Sequence, residues 1–203
     1  KLGIALITLL ASASAAFAGN VETFGIGSRA TALGGAYAAT ADDPFAAYYN
    51  PAGLSQIDTH YISGGVHIVD PTLKAKGFSV YNRNTDSYSF GPVDVEDTSD
   101  TLVVPHLGYA QPITDKISIG VAAYVPFGLD ISWPRDTTSN PSAYNFFGSY
   151  YIREVVTPTI SYKVNDQFSI GLGVSLGKSI SGAERINYYP TTSTEALTGS
   201  LMK

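Results

Sequence analysis

The chain has 203 residues, a formal net charge of −5, no cysteine, and 14% charged residues beside 20 glycines and 14 tyrosines. Without cysteine there is no disulfide framework and no thiolate metal centre, and the weakly acidic balance supplies no basic patch for nucleic acid. Abundant Gly and Tyr with few charges suit a membrane β-barrel, and they suit a secreted β-sandwich as well.

Residues 1–18 read as a secretory signal peptide: Lys1 is the positive end, Leu2 to Leu10 the apolar stretch, and Ala16-Phe17-Ala18 the small-residue cleavage site. The mature protein is then expected to begin near Gly19. Lys1 is not preceded by Met, and Leu201-Met202-Lys203 stops inside an element, so both ends read as incomplete. No later stretch is long and apolar enough for a transmembrane helix.

Residues 19–57 carry helix signals. Ser28 is expected to cap a short helix through Leu33, with Gly34-Gly35 as its stop. Asp43-Pro44 forms a cap and first-turn pair that starts a second helix, Phe45 to Tyr49, and Asn50-Pro51 ends it. Helices this short need a surrounding wall.

From residue 58 the period becomes two. Five strands are expected: His60 to Val69, Leu102 to Ile113, Ile117 to Trp133, Ile152 to Val164 and Phe168 to Ile180. In the third, Ile117, Ile119, Val121, Ala123, Val125, Phe127, Leu129, Ile131 and Trp133 share an apolar face, and Ser118, Gly120, Ala122, Tyr124, Pro126, Gly128 and Asp130 share the other. Seventeen alternating positions span roughly 55 Å at about 3.3 Å each, far longer than an ordinary globular strand. The turns at 114–116 and 165–167 are short, whereas 70–100 and 134–151 read as long polar loops. Long strands, apolar/small alternation and sorted loops point to an all-β, antiparallel transmembrane barrel. Five strands cannot close one, because open edges are not tolerated in lipid, so the sequence reads as an N-terminal fragment of the barrel.

Four motifs in order carry a family resemblance. Phe24-Gly25-Ile26-Gly27-Ser28-Arg29-Ala30 is followed by Leu33-Gly34-Gly35-Ala36-Tyr37, then Ala41-Asp42-Asp43, then Tyr49-Asn50-Pro51-Ala52-Gly53-Leu54. Together they resemble the N-terminal plug of FadL-type outer-membrane transporters of long-chain fatty acids and aromatic hydrocarbons. The resemblance runs on through the strands to Ala183-Glu184-Arg185-Ile186. It implies a fourteen-stranded barrel with a small helical hatch at 19–57 and barrel from 58 to 203, truncated in an outer loop. It implies a transport role for Asn50, Pro51 and Ala52, and a sideways exit at an inward kink of the third strand. That strand holds Pro126, Phe127 and Gly128. Their chemistry favours a wall gap, since Pro126 lacks an N–H for its neighbour, over the alternative of a strand fraying at the edge of the bilayer. Ser193 or Thr194 is expected to cap a helix in the tail.

The expected function is passive uptake of a hydrophobic small molecule by a monomeric protein embedded in outer-membrane lipid and lipopolysaccharide, with no cofactor, no metal and no enzymatic activity. A barrel of the same family acting in adhesion or phage attachment is the alternative, and an open porin is disfavoured by the plug. Gly25, Gly27 and Ala30 match a dinucleotide-binding spacing but lack a preceding strand. His60, His67 and His106 have no distinctive nucleophile beside them. Asp42-Asp43 reads as helix capping more than as a cation site. Arg29, Arg153 and Lys163 are candidate partners for a ligand carboxylate, with structural ion pairing the blander account. Trp133 and Tyr150-Tyr151 read as an interfacial girdle.

Overall fold

The computed structural model describes residues 25–136, 138–140, 147–188 and 199–202; the expected signal peptide and the expected tail helix lie outside them. Two short helices come first, α1 (Ser28–Ala32) and α2 (Ala46–Tyr49), followed by a 3-10 helix (Pro51–Gln56). Among the described residues nine strands follow: β1 (Tyr61–Val69), β2 (Lys74–Asn82), β3 (Ser87–Glu96), β4 (Leu102–Pro112), β5 (Ile117–Ser132), β6 (Gly148–Lys163), β7 (Ser169–Gly173), β8 (Leu176–Tyr188) and β9 (Gly199–Met202). Seven form one antiparallel sheet in the order β1-β4-β5-β6-β8-β9, with β7 also on β6; β2 and β3 form a separate hairpin. No helix among the described residues is long and apolar enough to cross a membrane.

Local chemistry explains the helical segment. Gly34 and Gly35 end α1 with φ of 61° and 84°, and the Gly35 N–H returns to the Ala30 carbonyl at 2.8 Å. Asp43 Oδ1 accepts the Phe45 N–H at 2.9 Å, an N-terminal cap for the turn that leads into α2. Asn50 is extended (φ −162°) and closes α2, because Pro51 follows it. Ser28 is not the expected cap. It is the first helical residue, Gly27 holds the cap position, and no side chain caps the turn. The 3-10 helix was not foreseen.

Four strand expectations need correction. The stretch 70–100 is not simply loop, since it contains the β2–β3 hairpin. The expected strand 168–180 is two strands, β7 and β8, interrupted at Val174-Ser175. Pro158 of β6 lies opposite the interruption: its carbonyl accepts the Val174 N–H at 3.1 Å, but Pro158 has no N–H to return. Strand β6 also starts at Gly148, four residues before the expected Ile152.

The fourth correction concerns β5. Its pairing with β6 runs Ile117↔Tyr162 to Tyr124↔Val155, then resumes at Phe127↔Arg153, so β5 carries one extra residue at a bulge. A one-residue slip turns the following side chains to the other face. Phe127, Leu129 and Ile131, expected beside Val121 and Val125, instead pair with Arg153, Tyr151 and Ser149 on the opposite face.

The faces are distinguished by what covers them. One, the inner face here, carries the helical segment and holds Ser118, Gly120, Ala122, Thr157, Thr159 and Ser161. The other is bare and apolar: Ile62, Ile68 and Leu172 are each about 70% exposed. A soluble protein does not leave so broad a greasy surface in water.

Candidate functional site

The small inner-face residues fit the helical segment by position. A side chain on Gly108 would strike Pro44, one on Gly120 would press on Leu54, and one on Gly171 would fall 2.2 Å from the Pro51 carbonyl carbon. Glycine on three strands therefore lets the segment's backbone come close. Asn50, Pro51 and Ala52 sit at this joint. Pro51 and Ala52 lie against Gly171, the Asn50 amide donates to the Ala38 carbonyl at 3.0 Å, and Ser55 Oγ meets Ser169 Oγ of β7 at 2.8 Å.

Inside the segment, Arg29 Nη1 lies 2.5 Å from Asp42 Oδ1, and the Tyr37 hydroxyl donates to the same oxygen at 3.1 Å. The hydrogen bond from Arg29 holds the Asp42 carboxyl below its usual range. Burial pushes Asp43 up, although the Phe45 N–H opposes this. Tyr37 is fully buried, and its hydroxyl is pushed up by that burial first.

The wall itself is interrupted between β4 and β5. Their ladder covers Leu107↔Ala123 to Pro112↔Ser118 and stops. Above it, Leu102–His106 pair with β1 on the far side, while β5 passes through its bulge and continues along β6. The strands are tied again higher up: the Thr98 N–H donates to the Ser132 carbonyl at 2.7 Å, and the Ser132 N–H to Ser99 Oγ at 3.0 Å. The result is a framed break. A Cβ on Gly128 would meet Val104, whose side chain is buried on the inner side of β4, so the upper part of β5 lies inward of β4. Pro126 and Gly128 flank the shift: one cannot complete a ladder, and the other leaves room for the approach.

A groove of about 570 Å³ opens at the break, lined on the outer face by Pro105, Leu107, Val125, Val156, Leu176 and Lys178. Its floor is formed by the inner-face residues His106 and Tyr124, one on each side of the break. Both are covered from within by α2 and the turn before it. The Phe45 ring stands edge-on to His106 at 5.3 Å, and the Tyr48 ring edge-on to Tyr124 at 5.1 Å. The Tyr124 hydroxyl meets Thr157 Oγ1 at 2.9 Å, which meets Ser175 Oγ at 2.9 Å, so the edge of the break is wired to the β7/β8 interruption.

Of the sequence-derived cations, Arg29 is paired with Asp42, and Lys163 with Asp166 at 2.9 Å in the short turn. Arg153 projects from the inner face, with Nη1 3.4 Å from Ser179 Oγ. His60 bonds Tyr109, whereas His67 and His106 come together at 4.6 Å between ring centroids. No third metal-binding side chain joins that pair among the described residues. Tyr150 and Tyr151 point to opposite faces; Tyr151 turns inward onto Phe127 at 6.1 Å and so does not share a girdle with Tyr150. Sequence reasoning missed Phe45, Tyr48, Tyr124 and Pro158. Only Pro158, a proline inside an alternating run, left a readable trace.

Long strands bare and apolar on one face, with a helical segment against the other, define the wall of an outer-membrane barrel. The outer membrane protein transport protein family (OMPP1/FadL/TodX) matches residues 4–197, and the chain belongs to it. It is 29% identical over 139 residues to an outer membrane protein of Neisseria meningitidis serogroup B, covering 64% of this chain and 28% of that one. It is 28% identical over 183 residues to outer membrane protein P1 of Haemophilus influenzae, covering 83% and 39%. The chain thus spans well under half the length of these relatives. A Pseudomonas aeruginosa FadL homologue of known crystal structure shares the fold at a TM-score of 0.53 and 19% identity, covering 72% of this chain and 35% of the other. The chain is accordingly part of a member of an outer-membrane transport protein family, and its relatives are outer membrane proteins of Gram-negative bacteria.

Proposed function

We propose that the chain is the first part of a closed fourteen-stranded barrel, that residues 19–57 are its hatch, and that the β4–β5 break is a lateral exit for a hydrophobic compound. The inner face is then the lumen, and the bare face meets lipid. The observation that carries this reading is the double seal. Phe45 and Tyr48, three residues apart in the hatch, each stack on one side of the break. A hatch placed there governs the sideways route as well as the axial one.

The driving force needs no chemistry. Apolar surface gains roughly 25 cal/mol per Å² on leaving water, and a lateral exit passes the ligand from lumen to lipid without returning it to water. The bulge serves the same purpose, because it turns Phe127, Leu129 and Ile131 into the upper lumen. For the exit to open, the Phe45 and Tyr48 contacts must part. The hatch therefore needs a second arrangement that ligand favours. Asn50, Pro51 and Ala52 act as the pivot held on β7.

The test uses full-length protein with Ser55→Cys and Ser169→Cys, whose hydroxyls are 2.8 Å apart in the native chain. Oxidation locks hatch to wall, and uptake of oleate or toluene should stop until reductant is added. Uptake that continues under the lock refutes the moving hatch. The β2–β3 hairpin, with Tyr81 and Tyr88 exposed, favours a second reading as an attachment surface. Deleting 74–96 would then abolish cell or phage attachment and leave uptake intact.

A further inference from the structure

We propose that His67 and His106 form a proton-binding latch: mild acid charges the pair, drives Phe45 off the wall and frees the hatch. This rests on the moving-hatch reading above and adds a signal that moves it.

The first observation is where the two rings meet. His106 of β4 lies opposite Gly65 of β1, and His67 of β1 lies opposite Val104, so the histidines are diagonal neighbours on the inner face. A Cβ on Gly65 would come within 3.1 Å of His106 Nε2. Glycine there lets the His106 ring lie across β1, where it meets His67 at 4.6 Å between centroids with the ring planes 34° apart. Two of the chain's 3 histidines are thus brought together, while His60 is bonded to Tyr109.

The second observation is that the pair is buried without compensation. His67 Nε2 and His106 Nδ1 are both buried and meet no hydrogen-bond partner. Such atoms are uncommon in a folded chain, and apolar side chains would fill the same space at lower cost. Ionisable side chains inside a spanning wall usually have a task. The titratable groups facing the pair from neighbouring elements are, among the described residues, Asp43 and Tyr48 of the hatch and Tyr124 of β5, with Glu154 and Lys178 on the outer side of the groove. Among the described residues no carboxylate forms an ion pair with either ring; Asp43 accepts the Phe45 N–H at 2.9 Å.

The third observation links the pair to the hatch. The buried Phe45 ring stands edge-on to His106 at 5.3 Å, and His67 beside it is half-buried, which gives protons a way in from the lumen. A charge on the covered pair is unfavourable, because burial and the neighbouring ring both oppose it. Once the hatch parts, water reaches both rings. Protons therefore favour the parted arrangement. An exposed imidazole titrates near about pH 6.5, so the effect grows as pH falls below that value. Asp43 acts in the opposite sense: burial pushes its carboxyl up, so its protonation favours the docked arrangement.

The experiment follows amide exchange in the full-length protein, which reports docking without any cargo. The Tyr48 and Tyr49 N–H groups donate to the Phe45 carbonyl and the Asn50 N–H to the Ala46 carbonyl, and a helix this short protects them only while it is docked. From about pH 7.5 to about pH 5.5 their protection, corrected for the direct effect of pH on exchange, should fall about tenfold, the change that one pKa unit between two states represents. His106→Gln and His67→Gln should each remove the fall, and His60→Gln and Asp43→Asn should keep it. A heat-modifiable gel shift confirms that each variant is folded. Where the Gln variants do not fold, nitrogen NMR of the wild-type imidazoles decides: coupled titration of two rings supports the latch, and independent titration like exposed histidine overturns it. No fall in the wild type, a fall that survives in both His variants, or one that Asp43→Asn abolishes overturns this inference while the moving hatch stands. Uptake that continues under the Ser55→Cys, Ser169→Cys lock overturns the moving hatch and this inference with it.

Discussion

Gly171 offers the sharpest test of how the helical segment is seated. A Cβ there would lie 2.2 Å from the Pro51 carbonyl carbon and 2.3 Å from the Ala52 nitrogen. Both are backbone atoms and cannot rotate aside. Ordinary van der Waals contact begins near 3.4 Å, so Gly171→Ala demands a retreat of about 1 Å at the Asn50-Pro51-Ala52 joint. Overpacking of this kind costs about 1–3 kcal/mol, or roughly a 5- to 150-fold shift away from the docked arrangement. The neighbouring Ser55–Ser169 contact of 2.8 Å reports on docking. In a Ser55→Cys, Ser169→Cys background, the rate of disulfide formation should fall by about that factor when Gly171→Ala is added. Gly148→Ala is the control: its new Cβ would come no nearer than 3.4 Å to the Glu184 side chain, and the rate should hold. An undiminished rate in Gly171→Ala, with normal folding by gel shift, would refute the claim that glycine at this position exists to admit the segment's backbone.

Deleting Pro126 should remove the extra residue of β5 and bring its two pairing registers with β6 into one. Phe127 would stay opposite Arg153 and Leu129 opposite Tyr151, so spin labels at Leu129 and Asp130, inner and outer in the native chain, should keep their accessibilities to oxygen in lipid and to a water-soluble relaxer; labels that exchange environments would show that β5 does not carry one extra residue at this point. A second expectation concerns acid. Asp42 has a lowered pKa in the folded chain, so its contribution is present above the ordinary carboxylate pKa and lost as pH falls through the folded value. Asp43 has a raised pKa, so its contribution runs the opposite way and is lost as pH rises. Acidification below about pH 4 should loosen the segment through Asp42 alone, read as faster amide exchange at Ala30 to Tyr37, and Asp42→Asn should show that faster exchange already at neutral pH. Equal pH dependence in wild type and Asp42→Asn would count against the Arg29–Asp42 pair as its source.

Period-two alternation located β4, β5, β6 and the β7/β8 pair, because each of these strands keeps one face apolar for lipid. The caps were partly readable too: Asp43-Pro44 and Gly34-Gly35 act through bonds to near neighbours. The rest depended on distant partners. Alternation continues unbroken from Ile117 to Trp133 in the sequence, so nothing local reveals that the pairing with β6 slips by one residue after Tyr124. The meeting of His67 with His106 needs the diagonal register of β1 on β4. The β2–β3 hairpin was hidden because its register shifts at three places, leaving no unbroken alternation to find. Pro158 was visible as a residue, but its effect depended on which neighbour its missing N–H would have faced.

The glycines and the bulge are two answers to one geometric problem. On the proposed reading of residues 19–57 as a hatch inside a barrel, the hatch needs a small lining where it touches the wall, and Gly108, Gly120 and Gly171 supply it on three strands. A ligand needs the opposite, a greasy lining beyond the hatch. One strand with strict alternation cannot provide both, since whatever faces lipid low down keeps facing lipid higher up. The slip at Val125-Pro126 resolves the conflict on β5. Below it the small residues face the hatch, and above it Phe127, Leu129 and Ile131 face the same side. The slip also ends the β4–β5 ladder, so the change of lining and the break in the wall occur at one level. Phe45 and Tyr48 reach the wall at that level as well. In the proposed barrel, a single extra residue thus sets where the lumen turns greasy, where the wall parts, and which part of the hatch would move.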